Sequence, residues 1–150
     1  MNRLRTWMRI VGGFYVFLGL INTPPVVAAR MGLQYPNLEL TLDHMAVKAI
    51  NDLWFVFGTE MAVIGIMLIV GSGEPLRGKI LVQTVLLLEL IRGILLDVYW
   101  ISRGYYVNFH YAAWIVIHLI IIVSGWRALQ QAEYKKVAGS QPTPRDLVEA

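Results

Sequence analysis

The chain has 150 residues, of which 57% are hydrophobic and only 15% charged, and its mean hydropathy is +0.56. A soluble domain carries roughly 25% charged residues, so this composition excludes an ordinary soluble fold and points to a single integral membrane domain. The lack of cysteine removes disulfides, thiolate nucleophiles, iron–sulfur clusters and Cys-ligated zinc, and a formal charge of +3 gives no basis for nucleic-acid binding.

Four stretches are apolar enough to cross about 30 Å of hydrocarbon, which takes about 20 residues. The first, residues 7–22, ends at Thr23-Pro24-Pro25. Arg3, Arg5 and Arg9 before it, with "VVAAR" after it, also allow a signal peptide cleaved after Ala29. Gly12 and Gly19 favour a retained, packed helix instead. Residues 23–51 make a long outer loop in which "PPVVAARMGL" begins a short helix, since proline is tolerated in a first turn. "LTLDHMAVKAIND" then leads helically into the second span, residues 53–70, with Thr41 or Asp43 as its cap.

The third span covers residues 80–101 and the fourth 107–126. The links "GSGEPLRGK" and "SRGY" are short, which implies antiparallel neighbours. The expected fold is therefore an all-α, up-down bundle of four transmembrane helices over residues 1–130. Residues 131–150 form a flexible tail. With both termini on one side, that side holds Arg3, Arg5, Arg9, Arg77, Lys79, Arg127, Lys135, Lys136 and Arg145. The other holds Arg30, Lys48 and Arg103, so the positive-inside bias places both termini in the cytoplasm. Trp7 and Trp126 are then expected at the inner interface. Trp54 and Trp100, with Tyr99, Tyr105 and Tyr106, are expected at the outer one.

The chemistry rests on ionisable groups inside these spans, which are costly in lipid and normally face a partner. Glu60, Glu89, Arg92 and His118 lie near mid-depth; Asp52, Asp97, Asn108 and His110 lie in the outer half. Within the third span Glu89 and Arg92, three apart, share a helix face and can pair directly, while Asp97 points toward another span. Tyr111, Trp114, His118 and Ile121 form one stripe. Gly12 with Gly19, and Gly58 with Gly65, mark close-packing faces. The bland reading is that Glu89 and Arg92 neutralise one another and only fix packing. The functional reading is an intramembrane pocket ringed by Asp52, Glu60, Arg92, Asp97 and His110. Tyr15, Tyr99, Tyr111 and Trp114 supply its aromatic wall. In the leading form Asp97, Arg92 and Glu60 orient a ligand's polar end while Tyr111 and Trp114 stack on its body. The alternatives are a small proton-coupled transporter subunit relaying through Glu60, Glu89 and His118, and an assembly partner without ligand.

No metal site is expected. A dinuclear carboxylate centre requires Glu-x-x-His, and Arg92 stands where that histidine belongs. His110 and His118 lie on one helix about 12 Å apart at about 1.5 Å per residue, which does not suit bis-histidine haem. GxSxG, HExxH and P-loop motifs are absent from the sequence. Acid–base chemistry by Glu60 or Asp97, as in a membrane isomerase or cyclase, is open but not required by their spacing.

The stretches "MNRLRTWMRIVGGFYVFLGL", "LINTPP" and "INDLWFVFGTEMAVIGIMLIVG" resemble small four-span proteins of the BphX-like and DoxX-like kind over residues 1–126. That resemblance implies a bacterial inner-membrane protein, accessory to the oxidation of a hydrophobic compound. The leading reading takes an aromatic molecule or a quinone as the ligand, and the expected company is a homodimer or a redox-complex partner. The resemblance brings no set of catalytic residues with it.

Overall fold

The computed structural model describes residues 2–35, 41–104 and 108–138, and these are helical apart from short turns. Helix α1 runs Asn2–Ile21, α2 Pro24–Gln34 and α3 Met45–Gly71. Then α4, Lys79–Leu88, passes into a π-helical segment, Glu89–Leu95, and on into α5, Leu96–Arg103. The last helix, α6, is Asn108–Ala138. The expected loose stretch from residue 139 onward lies outside the described residues, as do Tyr105 and Tyr106; residues 131–138 continue α6.

Helices α1, α3 and α6 are each long and apolar enough to cross a membrane by length and composition. The expected third span is a helical run, but it is broken into pieces of 10, 7 and 8 residues by the π segment. Large apolar side chains such as Ile10, Leu53, Val70, Ile80 and Phe109 point outward, whereas Glu89 and Asp97 are buried. Apolar outside with charge inside suits a lipid solvent.

The most extensive contact is between α1 and α3, and the glycines make it possible. A Cβ on Gly12 would stand 2.7 Å from the Gly65 carbonyl oxygen, and one on Gly65 would stand 2.5 Å from that of Gly12. Seven residues on along α1, a Cβ on Gly19 would stand 2.9 Å from the Gly58 carbonyl oxygen, which lies seven residues back along α3. The helices therefore run antiparallel with their backbones nearly touching, and the two seven-residue glycine pairs are the close-packing faces that meet.

One end of the bundle gathers the cations. Arg5 donates from Nε to the Ser72 carbonyl at 3.1 Å and from Nη2 to that of Gly73 at 3.3 Å, while Arg9 Nε donates to Ser72 Oγ at 3.1 Å. Arg5 thus satisfies carbonyls at the negative end of the α3 dipole, and Arg9 adds a second positive charge there through the Ser72 hydroxyl. Arg3 reaches Gln131 at 3.2 Å, and Lys79 pairs with Glu133. Trp7 does not join an interfacial belt: it is buried, its indole N–H donates to Ser124 Oγ at 3.1 Å, and its ring lies against Gly125. A large polar-tipped ring there is core packing between α1 and α6.

At the other end α2 forms where the proline-led stretch predicts it, with Thr23 in extended backbone and Pro24 opening the first turn. Val27 and Met31 of α2 bury against Val47 of α3. The cap of α3 is neither Thr41 nor Asp43. His44 takes that place, its ring nitrogen Nδ1 accepting from the Ala46 N–H at 3.2 Å.

Helix α1 packs on both α3 and α6, and α6 on α4, the π segment and α5. Helix α3 makes no comparably extensive contact with residues 79–103. A cleft separates them, with α1 and α6 as its floor.

Candidate functional site

The cleft widens into a cavity of about 730 Å³. Its apolar walls include Phe14, Phe57, Trp54, Trp100, Tyr111 and Trp114, and its polar groups come from the π segment and the helices facing it. The rings pack on one another: Trp114 tilts against Phe14 at 6.4 Å between centroids, and Tyr111 against Trp100 at 6.4 Å.

The π segment decides which polar groups face inward. On a regular α-helix at about 100° per residue, Glu89 and Asp97 are eight residues apart and diverge by about 80°. A turn closed by i→i+5 bonds accommodates one extra residue. The separation then behaves as about seven residues, within about 20° of two full turns. Glu89, Gly93 and Asp97 thus line one face, opposite His118 of α6.

Glu89, 3% exposed, accepts from the Tyr15 hydroxyl of α1 at one carboxylate oxygen. Its Oε2 lies 2.5 Å from His118 Nδ1. With Glu89 as the carboxylate, Nδ1 carries the hydrogen and both oxygens have a donor. The other ring nitrogen, Nε2, faces Asp97 Oδ2 at 3.6 Å, beyond hydrogen-bond reach. Tyr15, Glu89, His118 and Asp97 therefore form one chain of polar groups across three helices. The imidazole is held in place on three sides. Trp114 stacks on it at 6.1 Å with an interplanar angle of 29°. The Glu89 carboxylate anchors Nδ1, and bare Gly93 backbone supports the ring from below, where a Cβ would stand 2.5 Å from His118 Cγ.

Glu89 and Arg92 do not pair. In a turn of i→i+5 bonds the residue that returns to the same face is four or five later, so Arg92 swings out of the Glu89 face and across the cleft. It meets Glu60 of α3, Nη2 to Oε2 at 2.9 Å, and its guanidinium lies over the Phe57 ring at 4.2 Å.

Of the residues expected to bind ligand, Arg92, Asp97, His110, Tyr111 and Trp114 line the cavity. Glu60 stands at its edge, holding Arg92, with 56% of its side chain exposed. Asp52 is exposed on α3 and is not in the lining. Of the alternative relay set, Glu89 and His118 are in contact, while Glu60 lies apart on the Arg92 side. Tyr15, expected in the aromatic wall, does line the cavity and also donates a hydrogen bond to the buried acid. Gly93 is not among the expected site residues; its signal in the sequence is a glycine set between two ionisable residues inside an apolar helix. At the far end, Arg30 donates to the buried Asn22 side chain and lies over the Trp54 ring at 5.6 Å. Nothing in the linker sequence singles that arginine out. Among the described residues no group of three or more His, Asp or Glu side chains is arranged to hold a metal ion.

The model of the BphX-like family matches residues 1–134. The chain belongs to the BphX-like family. Two curated relatives, from Burkholderia cepacia and from Paraburkholderia xenovorans strain LB400, are each 31% identical over 138 residues. Each match spans 86% of this chain and 94% of the relative, and both relatives carry the description of an uncharacterized BphX-like protein. No solved structure matches.

Proposed function

We propose that this BphX-like protein is a non-enzymatic four-span membrane protein that holds a small hydrophobic molecule in the cleft between α3 and residues 79–103. The observation that carries this reading is a cavity of about 730 Å³ with aromatic walls and a short polar chain at one side. That combination, apolar lining with a few convergent polar groups, is the usual form of a small-ligand site. The run 79–103 is the fourth span in this reading: at about 1.5 Å per residue it reaches roughly 35 Å, enough for the hydrocarbon core. The cations gathered around Arg3, Arg5, Arg9 and Lys79 support a cytoplasmic side for both termini in a bacterial inner membrane. The cleft then opens sideways, where a lipid-dissolved molecule has access, with the Arg92–Glu60 pair at its mouth.

Native mass spectrometry of the purified protein tests this. The expected result is one small-molecule adduct per chain, weakened in Trp114→Leu, which removes the stacking wall. A bare protein mass from lipid nanodiscs, unchanged after incubation with flat apolar compounds, refutes it.

The Tyr15–Glu89–His118–Asp97 chain also favours a second reading, proton movement between the cavity and the bundle interior. Its relay differs from the expected one, with Tyr15 and Asp97 in place of Glu60. Proton uptake by reconstituted vesicles that is lost in Glu89→Gln and kept in Glu60→Gln supports it; the reverse pattern refutes it.

A further inference from the structure

Asp97 is the acid of the cluster whose hydrogen bonding is incomplete. Its side chain is only 8% exposed, it lines the cavity, and its Oδ2 makes no hydrogen bond among the described residues. A buried carboxylate oxygen left in that condition is costly, and such groups normally have a partner. The atom facing it, His118 Nε2, is 3.6 Å away, too far for a direct bond. The ring cannot swing closer without leaving Glu89, Gly93 and the Trp114 stack.

An oxygen set to one side of the line joining this pair, about 2.8 Å from each atom, bonds to both. What that oxygen must be follows from the hydrogens when the two facing atoms carry one between them. With a charged imidazole and a carboxylate, the group has to accept from Nε2–H and donate to Oδ2. With a neutral imidazole and a protonated Asp97, it has to accept from the acid and donate to Nε2. In both cases it is one donor and one acceptor on a single atom. The hydroxyl of a ligand, or a water molecule that such a hydroxyl would displace, satisfies this; a carbonyl or an ether only accepts, and a hydrocarbon does neither. The rings of Trp114 and Tyr111 beside the pair then meet whatever carries the hydroxyl.

We infer that the cavity takes a flat aromatic molecule bearing a free hydroxyl, bound with its oxygen between Asp97 Oδ2 and His118 Nε2. This rests on the hydrophobic-cavity reading above and adds the chemistry of the ligand's polar end.

The test compares three probes of nearly one shape, 2-naphthol, 2-methoxynaphthalene and naphthalene, by titration calorimetry of the full chain in matched detergent. The expected result is that 2-naphthol binds at least about tenfold more tightly than either of the others, the scale of one hydrogen bond to a charged group. In Asp97→Leu that preference falls to within about twofold while naphthalene affinity is retained. Equal binding of all three probes by the native chain overturns the hydroxyl inference and leaves the hydrophobic cavity standing. Failure of all three to bind overturns the cavity reading itself. Should Asp97→Leu not fold, the probe series on the native chain still decides.

Discussion

Gly93→Ala places the smallest possible side chain at the tightest point of the site. Its Cβ would stand 2.5, 2.6 and 2.8 Å from His118 Cγ, Nδ1 and Cδ2, closer than real contacts allow. The neighbour is a ring held by Trp114 and Glu89, so it cannot give way without losing its bond to the buried carboxylate. Forcing a methyl into a packed interior costs about 1–3 kcal/mol, and losing a hydrogen bond to a charged group costs about 1.5–3 kcal/mol more. Alanine returns up to about 1 kcal/mol in helix propensity. The net expectation is destabilisation by about 1.5–6 kcal/mol, measured by reversible unfolding in mixed micelles. Gly13→Ala is the control, since a Cβ there meets nothing within 4 Å; it should be neutral or slightly stabilising. In a His118→Ala background the Gly93→Ala cost should fall below about 1 kcal/mol, because the clash has gone. If Gly93→Ala matches Gly13→Ala, the π segment does not approach α6 as described and the derived site geometry is wrong.

Glu89→Gln should cost about 3–5 kcal/mol, since it breaks a buried, doubly bonded acid. Glu60→Gln should cost about 1 kcal/mol by the same unfolding measurement, its single partner lying at a half-exposed edge; equal losses would contradict the assignment of partners. Gly65→Val puts three carbons where a single Cβ already meets the Gly12 carbonyl oxygen at 2.5 Å; it should separate α1 from α3, read as loss of monodisperse protein. Deleting Ile91 should convert the π segment to regular helix yet keep Glu89 and Asp97 facing His118, whereas deleting Val85 rotates everything beyond it by about 100°. Folded protein recovered equally from both deletions would count against the π argument. In this cysteine-free chain, Asp43→Cys should react with an impermeant maleimide from outside intact cells and Glu74→Cys only after permeabilisation; the opposite pattern inverts the orientation.

Much of the architecture was legible because it depends on spacing alone. The glycine pairs seven residues apart marked close-packing faces, and the 12–65 and 19–58 contacts show that these two faces pack on each other. The Tyr111–Trp114–His118–Ile121 stripe predicted the inward face of α6, and Tyr111 and Ile121 are buried there. Proline-led α2 was readable from the chemistry of a helix start. What could not be read were matters of partner choice. Trp7 looks like an interfacial ring until Ser124 and Gly125 are brought opposite it, and His44 looks like a loop residue until α3 begins one position later. Only the fold supplies those neighbours.

The Glu89–Arg92 pairing shows the same limit in its sharpest form, because the rule behind it was sound and its premise was not. Residues three apart meet on an α-helix, and nothing in "LLLELIRGILL" announces a wider turn. The wider turn changes the identity of every partner in the site at once. It turns Arg92 across the cleft to Glu60, brings Asp97 round to the face of Glu89, and sets Gly93 beneath the His118 ring. A regular helix would have neutralised Glu89 locally and left Asp97 on another side of the helix. The i→i+5 segment instead leaves Glu89 to be satisfied by Tyr15 and His118, two groups on two other helices, so the acid ties α1, residues 79–103 and α6 together. The same rotation points Asp97 into a cavity where its Oδ2 has no hydrogen bond among the described residues. Packing alone requires only the first of these consequences. The second is the one that leaves a buried oxygen in want of a polar partner from the cavity.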